Sequence, residues 1–345
     1  GIINYQWSSD GSGVLVPLDG GLYFADLSGD EPVITRLTDT EESELNPKLS
    51  SQSTYVSFVR DRQLWVGAFG EEARPITPKE GPLIRWGEAE FVAQEEMSRL
   101  TGYWWHPKDE RLVVQRTDEA PVGVVTRAAI GATGTKVFDQ RYPVAGSDNA
   151  IVQLFVMDPD GQNRVKIDLG EESDIYVARV DWAPDGSAIY VQRQNREQTV
   201  LDMLKVDPAT GKSEIWFTEK AAREDYWINL SDNYRFLKDG SLLWWSERDG
   251  YGHLYKFDGA NWTKLTSGKE PVTSLVGVNQ TTREIYYQQT TNVLSQQIYR
   301  GLLDVSEERT LLPEPAYTNS ATMDNTGGQM IVTRSAPNQP PQSYL

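Results

Sequence analysis

The feature that most constrains this chain is a repeat. A turn followed by a short apolar run reads SSDGSGVLVPL at Ser8 to Leu18, SSQSTYVSFV at Ser50 to Val59 and HPKDERLVVQR at His106 to Arg116. It returns as APDGSAIYVQR from Ala183, LKDGSLLWWSE from Leu237, NQTTREIYYQQ from Asn279 and DNTGGQMIVTR from Asp324. Asp-Gly pairs sit where a tight turn needs positive φ. A second run follows, marked by Leu22, Leu64, Leu154, Leu204, Leu254 and Ile298, and a further copy begins at Ser343 to Leu345. A third short strand closes each unit, from Val33, Arg74, Arg164, Ser213, Trp262 and Arg309. Each unit thus reads as three strands with room for a fourth. Steps of 42 to 50 residues between the marker residues match one four-stranded blade of a β-propeller. The fold class is therefore all-β, a propeller with about seven recognisable blades, the last one truncated. The segments lack the 3.6-residue periodicity of helical repeats.

Composition narrows the function. Lys plus Arg number 33 against 50 Asp plus Glu, a net charge of −17, so the surface repels a phosphate backbone and nucleic acid is excluded as a partner. With no Cys and two His, a protein-only tetrahedral zinc site cannot be built, and no disulfide can form. The turn at Asp158 to Asn163 lacks the terminal carboxylate of a calcium loop, so no metal is expected there. Nothing calls for a cofactor. No apolar run approaches the roughly 18 residues of a membrane span. Three Asn-X-Ser/Thr matches, at Asn229, Asn261 and Asn279, are uninformative at this length. The pairs Trp104-Trp105, Trp244-Trp245 and Tyr286-Tyr287 lie in strands, so one of each is expected to pack between blades and the other to face outward.

One spacing departs from the rest: 90 residues separate Leu64 from Leu154, about two blades' worth. The stretch from Leu83 to Ala150 therefore reads as an insertion, and long insertions in regular arrays tend to be functional. Its first part, Glu88 to Arg99, favours a short helix. At 100° per residue Phe91 and Glu95 share one face and Val92 and Glu96 the next. Two adjacent carboxylates repel unless a cation lies between them, and on a rigid element they make a clamp for an ammonium. An ordinary solvated acidic face is the alternative. The second part, from Val122 to Tyr142, alternates apolar residues among Gly, Ala and Thr and reads as a hairpin leaving a blade, with a mobile surface loop as the equal alternative.

The run EFVAQEEM followed by Arg99 and GYWWHPKDERLVVQRTDEAPV resembles the glutamate-pair segment of the dipeptidyl peptidase IV family, serine exopeptidases of the prolyl oligopeptidase class. RYPVAGSDNAIVQLFV, from Arg141 to Val156, resembles the segment leading into that family's next blade, and the likeness extends loosely over nearly the whole chain. The resemblance implies an eight-bladed propeller joined to a C-terminal α/β-hydrolase domain. It implies that Glu95 and Glu96 bind the free α-amine of a peptide substrate, that dipeptides ending in Pro or Ala are removed, and that a propeller arm, here 122–142, helps to form a homodimer. It favours a periplasmic or extracellular setting, although the lack of Cys suits bacterial periplasm and cytosol equally.

The triad that such chemistry needs is not expected in this chain. No G-x-S-x-G string occurs, and His106 and His253 read as structural. The start reads as the beginning of a second blade, and the Pro-rich end as a blade edge or linker. The expectation is a propeller fragment, inactive by itself, whose partners are peptides with a free N-terminus and its own hydrolase domain. The family's carbonyl-holding Arg has no counterpart in LVPLDGGLYFADL; Arg99 and Arg127 are candidates by proximity alone, and surface salt bridging is expected for both. The alternatives are a non-enzymatic propeller scaffold and another peptidase of the class, such as an acylaminoacyl peptidase.

Overall fold

The computed structural model describes residues 2, 4–223, 225–292, 294–306, 309–312 and 316–345. Gly1 and Ile3 of the expected opening strand, and Pro313 and Glu314 of the third-step run from Arg309, lie outside them. The chain divides into two compact units, Gly1–Thr218 and Glu219–Leu345.

In the first unit, one sheet comprises Gln6–Trp7, Gly13–Leu18, Gly21–Asp26 and Val33–Arg36, and a second Leu45–Leu49, Tyr55–Arg60, Gln63–Ala68 and Arg74–Pro75. The third has Tyr103–Trp105, Leu112–Asp118, Ile151–Met157 and Val165–Lys166, with Ile84–Trp86 as an extra strand. The fourth runs Ile175–Trp182, Ile189–Asn195, Val200–Val206 and Ser213–Lys220, the last two residues of which belong to the second unit. In the second unit, one sheet comprises Arg235–Phe236, Leu242–Ser246, His253–Phe257 and Trp262–Lys264, and the next Val272–Asn279, Glu284–Asn292, Ser295–Leu302 and Arg309–Leu311. A three-stranded sheet ends the chain: Thr318–Met323, Met330–Ala336 and Gln339–Tyr344. Every pairing is antiparallel between sequence neighbours, apart from the long connections of the third sheet. These are the blades of a β-propeller, seven among the described residues.

The fourth strand of each blade lies before the turn, not after the third strand. The same turn joins it to the next strand in six blades. Gly11, Ser53, Asp109, Gly186, Gly240 and Gly327 all have positive φ, and each donates its N–H to the carbonyl three residues back. At Asp10, Asp185 and Asp239 the carboxylate also accepts from both the hydroxyl and the N–H of the serine two residues on, and these bonds, the hydroxyl's the larger at Asp185 and Asp239, hold the acids below the usual carboxylate range. The Pro-rich end forms the edge strand Gln339–Tyr344, where missing N–H groups cost the ladder little.

Strand alternation sends residues to two cores. Val113 joins Leu154, Val156, Val180, Trp182, Val191 and Leu204 between the third and fourth sheets. Its neighbours Leu112 and Val114 join Val59, Leu64, Tyr103 and Met157 between the second and third. The pair Trp104-Trp105 departs from the expected split of one ring inside and one outside. Trp105 packs in the second of these cores, while Trp104 packs against the first instead of facing outward. A blade packed on both faces covers Trp105 and part of Trp104.

Candidate functional site

The span between Leu64 and Leu154 is not a block added between blades. It contains the first two strands of the third blade, opened by two excursions. Leu112–Val114 pairs with Tyr103–Trp105, and further along the same edge Arg116–Asp118 pairs with Ile84–Trp86. The strand along that edge is thus split in two, and residues 87–102 loop out of the break.

The neck of this loop closes on Gln115. The Gly87 N–H donates to the Gln115 carbonyl at 2.9 Å, the Gln115 N–H to the Gly102 carbonyl at 2.7 Å, and the Gly102 N–H to the Gly87 carbonyl at 3.0 Å. Glu88 and Thr101 form a bridge just beyond. Gly87 has φ +79°, and a Cβ on Gly102 would lie 2.6 Å from backbone atoms of Glu88. Both positions require glycine.

Inside the loop the expected helix forms only over Phe91–Glu95, with Glu96 as its C-cap at φ −102° and ψ −30°. Glu88 and Glu90 are extended and buried instead. Glu88 stands 3.4 Å from Arg85, which also meets Glu119 at 3.2 Å; burial raises the Glu88 carboxyl above its usual range despite that cation. Ala93 and Met97 turn inward, while Gln94, Glu95 and Glu96 are exposed. Phe91 meets Tyr142, at the base of the hairpin, edge to face at 5.1 Å. A cleft beside the helix is lined by Phe91, Val92, Val122, Arg141, Pro143 and Tyr176.

Glu95 and Glu96 therefore stand side by side in solvent at the end of a supported helix. Neither meets a cation or a hydrogen-bond donor among the described residues. Chemically, this is an acceptor set with four oxygens and no resident donor.

Arg99 departs from the expected surface salt bridge. It is 4% exposed, and its guanidinium bonds the Thr101 and Val177 carbonyls at 2.7 and 2.8 Å and the Gln115 side chain at 2.9 Å. Held by these partners, its guanidinium is kept out of solvent. Its one ion pair among the described residues, to Glu90 at 3.4 Å, is buried and not at the surface. Arg127 lies on the hairpin, bonded to Gln140 at 2.9 Å and stacked 5.1 Å over Tyr142, without a salt bridge among the described residues. The hairpin pairs Val124–Gly131 with Gly134–Arg141 through a two-residue turn and is exposed along nearly its whole length. His106 packs edge to face on Trp182 at 4.8 Å and accepts from the Lys108 N–H, and burial depresses its pKa. His253 sits between Thr266 and the Gly268 carbonyl and is depressed likewise. Sequence reasoning missed Arg99, Arg179 and Gln115 as supports. Gln115 alone left a trace, as a polar residue inside the apolar strand LVVQRTD.

No helix among the described residues is long and apolar enough to cross a membrane. The chain is similar in structure to Porphyromonas gingivalis dipeptidyl peptidase 4, at a TM-score of 0.87 and 22% identity, over 99% of this chain and 50% of that one. Dipeptidyl peptidase 4 of Arthroderma otae is 25% identical over 337 residues, 89% of this chain and 43% of that protein. Human dipeptidyl peptidase 8 is 23% identical over 317 residues, 74% and 35% respectively. The chain thus spans less than half the length of these curated relatives. The family model described as the dipeptidyl peptidase IV N-terminal region matches residues 8–341, and the chain belongs to that family.

Proposed function

We propose that this chain is the propeller part of a serine peptidase that removes dipeptides, chiefly X-Pro and X-Ala, from peptide N-termini, and that Glu95 and Glu96 hold the substrate's α-ammonium. The observation that carries this is the exposed carboxylate pair on a loop anchored into a blade, with no protein cation to satisfy it among the described residues. An ammonium offers three N–H donors and a full positive charge, and charge-assisted bonds to carboxylate are the strong ones. It is also the mark of a peptide's first residue. Fixing it at a set distance from a nucleophile lets the enzyme count two residues before cutting. The relatives' names support the same reading. The triad would come from the portion of those longer proteins that this chain does not span, and the propeller would gate access to it. The exposed hairpin, with Val124, Ile130 and Val137 in solvent, would serve as a dimer arm.

The test is Glu95→Ala with Glu96→Ala in the full-length protein. We expect kcat/KM on a free-amine dipeptide substrate to fall about a hundredfold or more, since losing the partner of a desolvated charge is costly. Unchanged kinetics would refute the assignment.

A further inference from the structure

The helix that presents the pair has five residues and no side-chain N-cap bond. Isolated helices shorter than about 12–15 residues are marginal in water, so neighbours must fix this one. The chain reverses at Ser98, at φ +54°, and Arg99 turns into the interior. Its N–H donates to the Ala93 carbonyl at 2.9 Å. One end of its guanidinium reaches Thr101, after the helix, and Gln115, on Leu112–Asp118. The other end reaches the Val177 carbonyl, on the adjacent sheet's Ile175–Trp182, and the Glu90 carboxylate, just before the helix, at 3.4 Å. Gln115 donates to that same Glu90 oxygen at 2.9 Å. Arg179 adds a bond to the Met97 carbonyl at 2.9 Å.

We propose that Arg99 is a positioning residue for the amine-binding pair: its buried fork ties both ends of the helix to two adjacent blades and so fixes where Glu95 and Glu96 stand. This rests on the reading of that pair given above. A rigid planar fork is what the role requires. A lysine offers one compact ammonium and cannot span acceptors on both sides.

The experiment compares Arg99→Lys, and the double change Arg99→Met with Glu90→Gln, in the full-length peptidase. The double change removes both buried charges together, so that neither is stranded. The substrates are an alanyl-proline anilide and its N-acetyl counterpart. For folded Arg99→Lys we expect KM for the free-amine substrate to rise about ten- to a hundredfold with little change in kcat, because small misplacement of a binding group is costly. Preference for the free amine over the acetylated substrate should fall by the same factor, and the double variant should do likewise. A lower melting temperature with wild-type KM and wild-type amine preference in the folded enzyme would overturn the proposal, leaving Arg99 a merely structural residue. Glu95→Gln with Glu96→Gln is measured alongside. If that change spares amine preference, the pair itself is misread and the Arg99 role falls with it. If it abolishes the preference while both Arg99 variants keep it, only the positioning role is refuted.

Discussion

Lys48 carries its charge where the surrounding protein supplies no anion among the described residues. Its ammonium donates to the Thr101 hydroxyl at 2.6 Å and the Tyr103 carbonyl at 2.7 Å, and lies 4.3 Å from the centre of the Tyr103 ring. Burial pushes its pKa from 10.5 down to about 7, with the Arg99 cation adding to the effect. The unfolded chain keeps this proton up to about 10.5, while the folded form releases it near 7. Above pH 7 the unfolded state therefore binds more protons, and stability rises with pH. Raising the pH from 7 to 9 should stabilise the wild type relative to Lys48→Met by at most about 1.4 kcal/mol per unit. Urea titrations across that range measure the gap, and parallel pH profiles would contradict it. Nothing in PKLSS announces this environment. A lysine's burial is decided by what folds over it, as is that of Arg99, whose sequence neighbours Ser98 and Leu100 are both exposed.

The neck of the glutamate loop makes a sharper claim about an element. At Gly102 a methyl group would press on the backbone of Glu88, which cannot swing aside as a side chain could. Gly102→Ala should cost about 1–3 kcal/mol, read as a lower urea midpoint. Gly81→Ala, where nothing lies within 4 Å, should stay within about 0.5 kcal/mol of wild type. Equal effects would show that the neck is slack. Elements differed in how readable they were. The Asp-Gly turns were plain, because positive φ demands a small set of residues, and Gly11, Gly186 and Gly240 adopt it. The strands before those turns were not. Gln6–Trp7 and Arg235–Phe236 are two residues long, too short for an alternating pattern. The split strand was hidden for another reason: Ile84–Trp86 and Tyr103–Trp105 become one edge only by sharing a partner far along the chain.

Across the whole molecule, stability is expected to be local. Each core forms between consecutive blades, so repeat energetics apply: a sum of blade and interface terms. Leu154 is fully buried in the core between the third and fourth sheets. Leu154→Ala should cost about 2–5 kcal/mol, and amide exchange should accelerate within 1–218 more than within 219–345. Uniform acceleration would mean that the chain unfolds as one cooperative body. The period visible in the sequence predicted the architecture because every blade solves the same packing problem. It could not predict the site, which arises where one blade departs from the period. That departure has a consequence for change over time. The loop leaves and re-enters the sheet at Gln115, so its length and contents never enter the strand register. Doubling a loop's length costs only about 0.6 kcal/mol in closure entropy. The segment between Gly87 and Gly102 is in effect a cartridge: its solvent-facing positions, Gln94 to Glu96, can be lengthened or recharged while the buried residues that anchor it, Glu90 and Arg99, stay as they are.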